Sequence, residues 1–375
     1  MKIGTCRARA GFLIKGKLKV ANYKRKNLYI PLWIAKGKHE GRTVFISAGM
    51  HGNEINSIET LTEVVNSLDI KRLKGTIIFL PVLNPWGFEK RERYIPFDNK
   101  DLNRCFHLKG RTVSIQIAKT ILNEVIAKCD FGIDLHDSGS KNILLPHPRI
   151  FKGDKCKMLK EMSYVLGTDI ILEREGDPGM MAIESFKKFK TPVLTFEIGG
   201  AFVLNEVFIE QGVKGIKNIL TYYEMTPGVL DLPIQQFFLE ERKGYEAPIS
   251  GILHLHVHLG QAVKKGETIA KIHSPLKDKE EVIKSSNYGI VFSIKQSSIV
   301  DKGESILSML HFKMSGRKEL IPIQAKMLMN KQKFKKVITH PTILIDDLFS
   351  LLGFSYKIVG KTIKTPLKKL EEYFK

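Results

Sequence analysis

His51 and Glu54 stand three residues apart in TVFISAGMHGNEINSIETL, Thr43 to Leu61. An imidazole nitrogen and a carboxylate oxygen are both good zinc donors, at about 2.0–2.2 Å. Two donors do not make a zinc site, so a third is needed, and His136 is the candidate, at the end of the run Phe131 to His136. Three protein ligands leave a fourth position for water, which is the arrangement of a catalytic rather than a closed structural zinc. Asp134 falls on the same side of an extended strand as His136. It could orient a metal-binding imidazole through its outer nitrogen. Glu197 closes the apolar run VLTFEIGG. A carboxylate ending a buried strand is costly without a partner or a task, and beside a zinc its task would be to take a proton from water.

Arg93, Asn103 and Arg104 lie in KRERYIPFDNKDLNRCF. Guanidinium binds carboxylate through two parallel hydrogen bonds, so paired arginines beside a zinc suggest a carboxylate on the substrate. A lone His-x-x-Glu, a histidine after a strand or a basic loop is common in chains that hold no metal. The weight rests on His51, Glu54, His136 and Glu197 all falling at strand ends, where α/β sheets gather their chemistry.

The elements that must place these groups can be read from periodicity. Thr43 to Ser47 is β-branched and apolar and predicts a buried strand; Asn56 to Leu68 has helical spacing. Gly49 and Gly52 allow a tight turn between them. Leu28 to Ala35 predicts a strand that pairs with or neighbours the Thr43 strand, and residues 1–25 are basic and weakly patterned. Thr76 to Leu83 predicts another strand, closed by the turn Asn84-Pro85-Trp86-Gly87. Residues 84–112 form a loop long enough to be functional. Helices are expected over Val113 to Cys129, 155–167, Met181 to Phe189 and 205–224, with strands at Phe131 to His136, Asp169 to Leu172 and Pro192 to Ile198. Alternating strands and helices argue for an α/β sheet covered on both faces. Near Pro227 the pattern turns to short, glycine-punctuated runs, which predict a small all-β module. The expected organisation is an α/β catalytic domain over 1–226, a small barrel-like β domain over 227–312 and a basic extension over 313–375. In that extension an apolar patch, Thr342 to Phe354, suggests an appended α/β piece or a docking tail.

The chain has 375 residues, 43% hydrophobic and 26% charged, enough for two domains with sizeable cores. No apolar run reaches the roughly 20 residues of a membrane span, and no secretory signal is seen. Cys6, Cys105, Cys129 and Cys156 are scattered, which fits neither a disulfide framework nor a cysteine zinc knuckle. A cytoplasmic, membrane-free protein is expected. The net charge of +21 comes from lysines spread along the whole chain. Weak polyanion binding follows from that charge, but no specific nucleic-acid partner does. His254, His256 and His258 share one strand face, and an exposed face explains them better than a metal.

HGNE, the Asn-Pro turn, DLNR, the strand ending DLH and PVLTFEIGG occur in this order. Together they resemble the succinylglutamate desuccinylase/aspartoacylase family of the zinc carboxypeptidase superfamily. The resemblance spans roughly residues 28–310 and includes the β module. It implies a zinc-carboxypeptidase-like mixed sheet flanked by helices, with one Zn2+ per chain on His51, Glu54 and His136. It implies Glu197 as general base and acid, and Asn103 and Arg104 on the substrate carboxylate. An arginine before DLNR polarises the scissile carbonyl in the family; Arg93 matches best and Arg91 competes. The β module is similar to a biotinyl/lipoyl barrel, but neither Lys284 nor Lys295 sits in a lysine-attachment hairpin. The implied activity is amide hydrolysis of a small acidic N-acyl amino acid, with homo-oligomer formation left open. The rivals are a carboxypeptidase-like peptidase, told apart by an open groove, and an idle polyanion-binding relative.

Overall fold

The structure, a computed structural model, describes residues 1–138, 142–151, 156–200, 202–233, 236–239, 242–311 and 337–340. A nine-stranded mixed sheet forms its centre. From one edge to the other its strands are Phe237–Leu239, Ile170–Arg174, His147–Phe151, Val193–Glu197, Phe131–His136, His39–Ser47, Lys74–Leu80, Lys26–Lys36 and Phe12–Tyr23. The central strands Val193–Glu197, Phe131–His136, His39–Ser47 and Lys74–Leu80 run parallel. They are buried on both faces, as parallel strands must be when helices cover them. Val44, Ile46, Ile133, Leu135, Leu194 and Phe196 share a core with Leu61, Val64, Ile216 and Ile219 of the helices Ile55–Asn66 and Glu206–Tyr222. Phe45, Ile78, Leu80 and Val193 face the other way, towards Ile117, Ile121, Val125 and Met181. No helix among the described residues is long and apolar enough to cross a membrane.

The expected α/β sheet is therefore present, with four differences. The strand Lys26–Lys36 does not pair with His39–Ser47; Lys74–Leu80 lies between them. Short connections favour neighbours, but a parallel partner already occupied that edge. Residues 12–23 form a long strand of a hairpin with Lys26–Lys36. Lys15, Lys17 and Lys19 face solvent at alternate positions, a strand period that the reading of residues 1–25 as weakly patterned passed over. The helix expected over Val113 to Cys129 is regular only over Val113–Thr120, then widens into a π turn at Ile121–Val125 and tightens at Ile126–Lys128. Finally, Phe237–Leu239 extends the large sheet rather than the β module.

The β module consists of two small sheets. Arg242–Glu246, Ser305–His311, Gly289–Lys295 and Ala262–Val263 make one; Lys279–Lys284, Thr268–Ser274, Gly251–Leu255 and Ile299–Val300 make the other. Leu253, Val263, Ile269, Ile272, Val291 and Leu307 fill the space between them. The short strand Asn142–Leu144 leaves the end of Phe131–His136 and pairs with Gly289–Lys295. Leu144, Ile170, Leu172 and Phe237 then pack against Ile290, Phe292 and Leu310, a shared apolar seam that fixes the module over the strand ends. His254, His256 and His258 are exposed. Of the C-terminal extension, Val337–His340 pairs in parallel with Leu230–Pro233. The patch Thr342 to Phe354 lies outside the described residues.

Candidate active site

Strand parity places the polar groups. In Phe131–His136 and Val193–Glu197 the odd-numbered Ile133 and Leu135 and the even-numbered Leu194 and Phe196 take the helix-covered face. Asp134, His136, Thr195 and Glu197 are therefore left on the other. Register then sets His136 beside Glu197, Thr195 beside Asp134, and Ser47 beside Asp134. His51 and Glu54 arrive from the turn after His39–Ser47. Gly49 adopts φ +60°, a left-handed turn open to glycine. At Gly52 a Cβ would lie 2.0 Å from the Gly87 carbonyl carbon, so the HGNE turn and the Asn-Pro turn touch backbone to backbone. Glu54 is the residue before the helix Ile55–Asn66, and Asp137 accepts the Asn56 N–H at 2.9 Å to cap that helix.

His51, Glu54 and His136 converge, with one donor atom from each lying within 4.8 Å of the others. His51 Nδ1 is 2.6 Å from Glu54 Oε1, and His136 Nδ1 is 3.0 Å from Glu54 Oε2. Both outer nitrogens are held by carboxylates. His51 Nε2 is 3.0 Å from Asp101 Oδ1, and His136 Nε2 is 2.8 Å from Asp134 Oδ2. Ser47 in turn donates to Asp134 at 2.7 Å. Burial alone would lower both imidazole pKa values, but the neighbouring carboxylates reverse this. Glu54 and Asp101 raise that of His51; Asp134 and Glu54 raise that of His136 well above its ordinary value. Burial opposes ionisation of Glu54, yet the two imidazoles hold its carboxyl far below the usual range. This donor set fits a divalent cation. The inner nitrogens face one carboxylate, and the outer ones are oriented by acids, as metal-binding histidines require.

Glu197 is buried in the same cavity, and Arg149 Nη2 lies 2.7 Å from its Oε1. The cavity holds about 230 Å³ and is lined by His51, Glu54, Arg93, Asn103, Arg104, His136, Glu197 and, from the β module, Arg242 and Ser293. Arg93 is paired with Asp101 at 2.9 Å and stands 3.7 Å from Glu54. Arg91, by contrast, caps the helix Pro85–Lys90 in a left-handed conformation and is exposed. Asn103 accepts the Met181 N–H at 2.9 Å, which fixes its carbonyl oxygen. Arg104 pairs with Asp177 at 2.7 Å.

Asp101, Asp137, Arg149 and Arg242 escaped the reading of the sequence. Asp101 had a local signal, as the acid of the DLNR motif. Asp137 follows the candidate ligand His136 directly. Arg149 and Arg242 had none, because each reaches the cavity only through strand pairing across long stretches of chain.

Residues 40–223 match the model of the succinylglutamate desuccinylase/aspartoacylase catalytic domain. An N-alpha-acetyl-L-2,4-diaminobutyric acid deacetylase from Halomonas elongata is 25% identical over 253 residues, 65% of this chain and 74% of that protein. A succinylglutamate desuccinylase structure from Silicibacter sp. TM1040 superimposes with a TM-score of 0.71 at 19% identity, covering 83% of this chain and all of that one (100%). The product-bound ectoine utilization protein EutE (DoeB) from Ruegeria pomeroyi gives 0.70 at 20% identity, over 80% of this chain and 95% of that one. The match lies on the stretch that carries HGNE, DLNR, DLH and FEIGG, so residues 40–223 are a catalytic domain of the succinylglutamate desuccinylase/aspartoacylase family.

Proposed function

We propose that this chain is a zinc-dependent amidohydrolase that cleaves the amide of an N-acyl amino acid or a related small acidic amide. The observation that carries this reading is one cavity into which His51, Glu54, His136 and Glu197 all converge with Arg93, Asn103 and Arg104. The Halomonas relative, by name a deacetylase of an N-acetyl amino acid, agrees with it. His51, Glu54 and His136 would hold one zinc, oriented by Asp101 and Asp134. When bound, zinc supplies a Lewis acid for the amide carbonyl and lowers the pKa of a water.

The chain's own groups do the rest. Arg104 and the amide nitrogen of Asn103 bind the substrate carboxylate and set the scissile bond against Glu197. Arg93, beside Glu54, stabilises negative charge growing on the carbonyl oxygen, where preorganised donors give their largest gain. Glu197 takes the proton of the attacking water and returns it to the leaving amine. The α/β part within residues 1–226 carries this chemistry, and the β module, which begins at Arg242 because Phe237–Leu239 belongs to the large sheet, adds Arg242 and Ser293 to the cavity wall. A cavity of about 230 Å³ is of a size for a small substrate, whereas a peptidase would need a groove that runs on past it.

The test joins metal analysis of the purified chain to a screen of N-acyl amino acids. One zinc per chain, deacylation of at least one substrate, and loss on chelation with recovery on adding zinc are expected. A metal-free chain with full activity overturns the reading, and so does cleavage confined to peptides.

A further inference from the structure

Lysines occur along the whole chain, but the charge they leave uncompensated does not. Residues 1–38 hold eleven lysines and arginines and no aspartate or glutamate. Residues 39–312 hold 35 against 34, and residues 313–375 hold 14 against five. The middle of the chain is therefore close to neutral, and about half of the net charge of +21 sits in the first tenth of the sequence. Charge segregated in this way is a signature of a polyanionic partner.

The fold gathers that stretch at one edge of the nine-stranded sheet. Phe12–Tyr23 is the edge strand and Lys26–Lys36 its neighbour. Leu18, Val20, Ile30, Leu32 and Ile34 face the core. Alternation leaves Lys15, Lys17 and Lys19 exposed on the other face, in register with Trp33, Pro31 and Tyr29. Lys15 Nζ lies 4.4 Å from the centre of the Trp33 ring, and Lys17 Nζ lies 4.6 Å from that of Tyr29. None of the eleven cations enters an ion pair among the described residues. The rings thus seat two of the ammonium groups in a row that repeats every second residue, about 6.6–6.8 Å. Lysines on an edge strand also discourage stray strand pairing. Here Thr5 already covers the edge at Lys17: its N–H donates to the Lys17 carbonyl and its Oγ1 accepts the Lys17 N–H, both at 2.9 Å. Guarding the edge therefore does not account for the row.

We propose that this hairpin face binds the phosphate backbone of a DNA duplex without reading its sequence. Each strand of B-DNA carries a phosphate about every 3.4 Å of axis, so lysines about 6.6–6.8 Å apart meet alternate phosphates. With cations over Trp33 and Tyr29, neither ring is free to stack on an unpaired base or to enter a bilayer interface, which disfavours a single strand and a membrane. No residue of 1–38 lines the cavity among the described residues. The edge strand lies four strands from Phe131–His136, about 19 Å across the sheet, so duplex binding here stands apart from the chemistry proposed there.

The full-length chain is titrated against a fluorescent, mixed-sequence DNA duplex by anisotropy between about 50 and 200 mM salt, over which binding should weaken steeply. Lys15→Gln, Lys17→Gln and Lys19→Gln together should flatten the plot of log affinity against log salt by about 2–3 and weaken binding at the lower salt about tenfold or more, each lysine answering for one phosphate. The same three changed to arginine should keep the slope. Should the triple glutamine variant fail to fold, Lys17→Gln alone decides, with a slope flatter by about 1 expected and an unchanged slope overturning the proposal. Removing three exposed lysines of the β module, by Lys264→Gln, Lys265→Gln and Lys277→Gln, should change the slope by less than about 1. An equal loss in that control overturns the proposal, because it marks a general effect of charge. So does tighter binding at equal salt to a single-stranded RNA of the same length, to polyglutamate, or to vesicles of phosphatidylserine and phosphatidylcholine, each of which names a different partner. No measurable binding to the duplex at the lower salt overturns it outright.

Discussion

Asp101 holds His51 by the nitrogen that faces away from Glu54, with Oδ1 3.0 Å from Nε2. Its other oxygen lies 2.9 Å from Arg93 Nη2, so one carboxylate orients an inferred zinc donor and the arginine nearest to it. Removing such a partner commonly lowers metal affinity about 10–100-fold. Asp101→Asn should therefore keep the fold, lose zinc to a chelator at about 10–100-fold lower concentration, and leave Arg93 less well placed. Competition with a chromogenic chelator measures it, and an unchanged zinc affinity would show that His51 is positioned by other means.

Glu197 is buried at the end of its strand, and its carboxylate pairs with Arg149, Oε1 lying 2.7 Å from Nη2. Glu197→Gln should retain the metal and lose turnover by about 10²–10⁴-fold, the range of general acid–base catalysis. The measurement is zinc content beside kcat for the same preparation. Zinc lost in step with activity would make Glu197 a ligand instead.

The Arg104–Asp177 pair is partly exposed, at 39% and 58%, so it stabilises the fold little. Asp177 competes for the arginine assigned to the substrate carboxylate. Asp177→Asn should leave stability within about 0.5 kcal/mol of the parent and lower KM about two- to fivefold, whereas Arg104→Ala should raise KM. A KM that rises in both variants would mean that the pair acts as one unit.

His147 is buried, its Nδ1 lies 2.8 Å from the Leu145 carbonyl oxygen, and its pKa is depressed to about 3 by burial and the neighbouring arginines. An unfolded chain takes up that proton near the ordinary histidine value of about 6.5. Between these values the unfolded state binds more protons, so stability falls as pH falls through that window. From pH 7 to pH 5 this group alone costs about 2 kcal/mol. His147→Gln should flatten the slope by that amount in urea unfolding at the two pH values, and an equal acid loss in both proteins would rule out this origin.

The chain's local order was sufficient to locate the candidate ligands. Apolar runs that end in His136 and Glu197 are strands, and the polar residue ending each lies at the functional edge of the sheet. The turn at His51 and Glu54 carries its glycines because the backbone must bend there and pass against Gly87. Period and turn chemistry are local properties, so these features could be read directly. The lysine alternation in Phe12–Tyr23 is the same period at the sheet edge, legible but passed over, whereas the three-residue strands Asn142–Leu144 and Phe237–Leu239 were too short to carry a period.

Only the tertiary structure decided which side chains meet. His51 and Asp101 are fifty residues apart, and the contact forms because the loop after Lys74–Leu80 folds back over the strand ends. The same fold sets Arg93 beside Glu54, while Arg91 turns outward as a helix cap. Arg149 came to Glu197 through an antiparallel pairing with Val193–Glu197, and Arg242 came with the β module along the seam of Leu144, Phe237 and Phe292. Period and composition state what each segment can bury. Which charges those burials bring within reach of one another depends on register and sheet order, and these are settled only when the whole core closes.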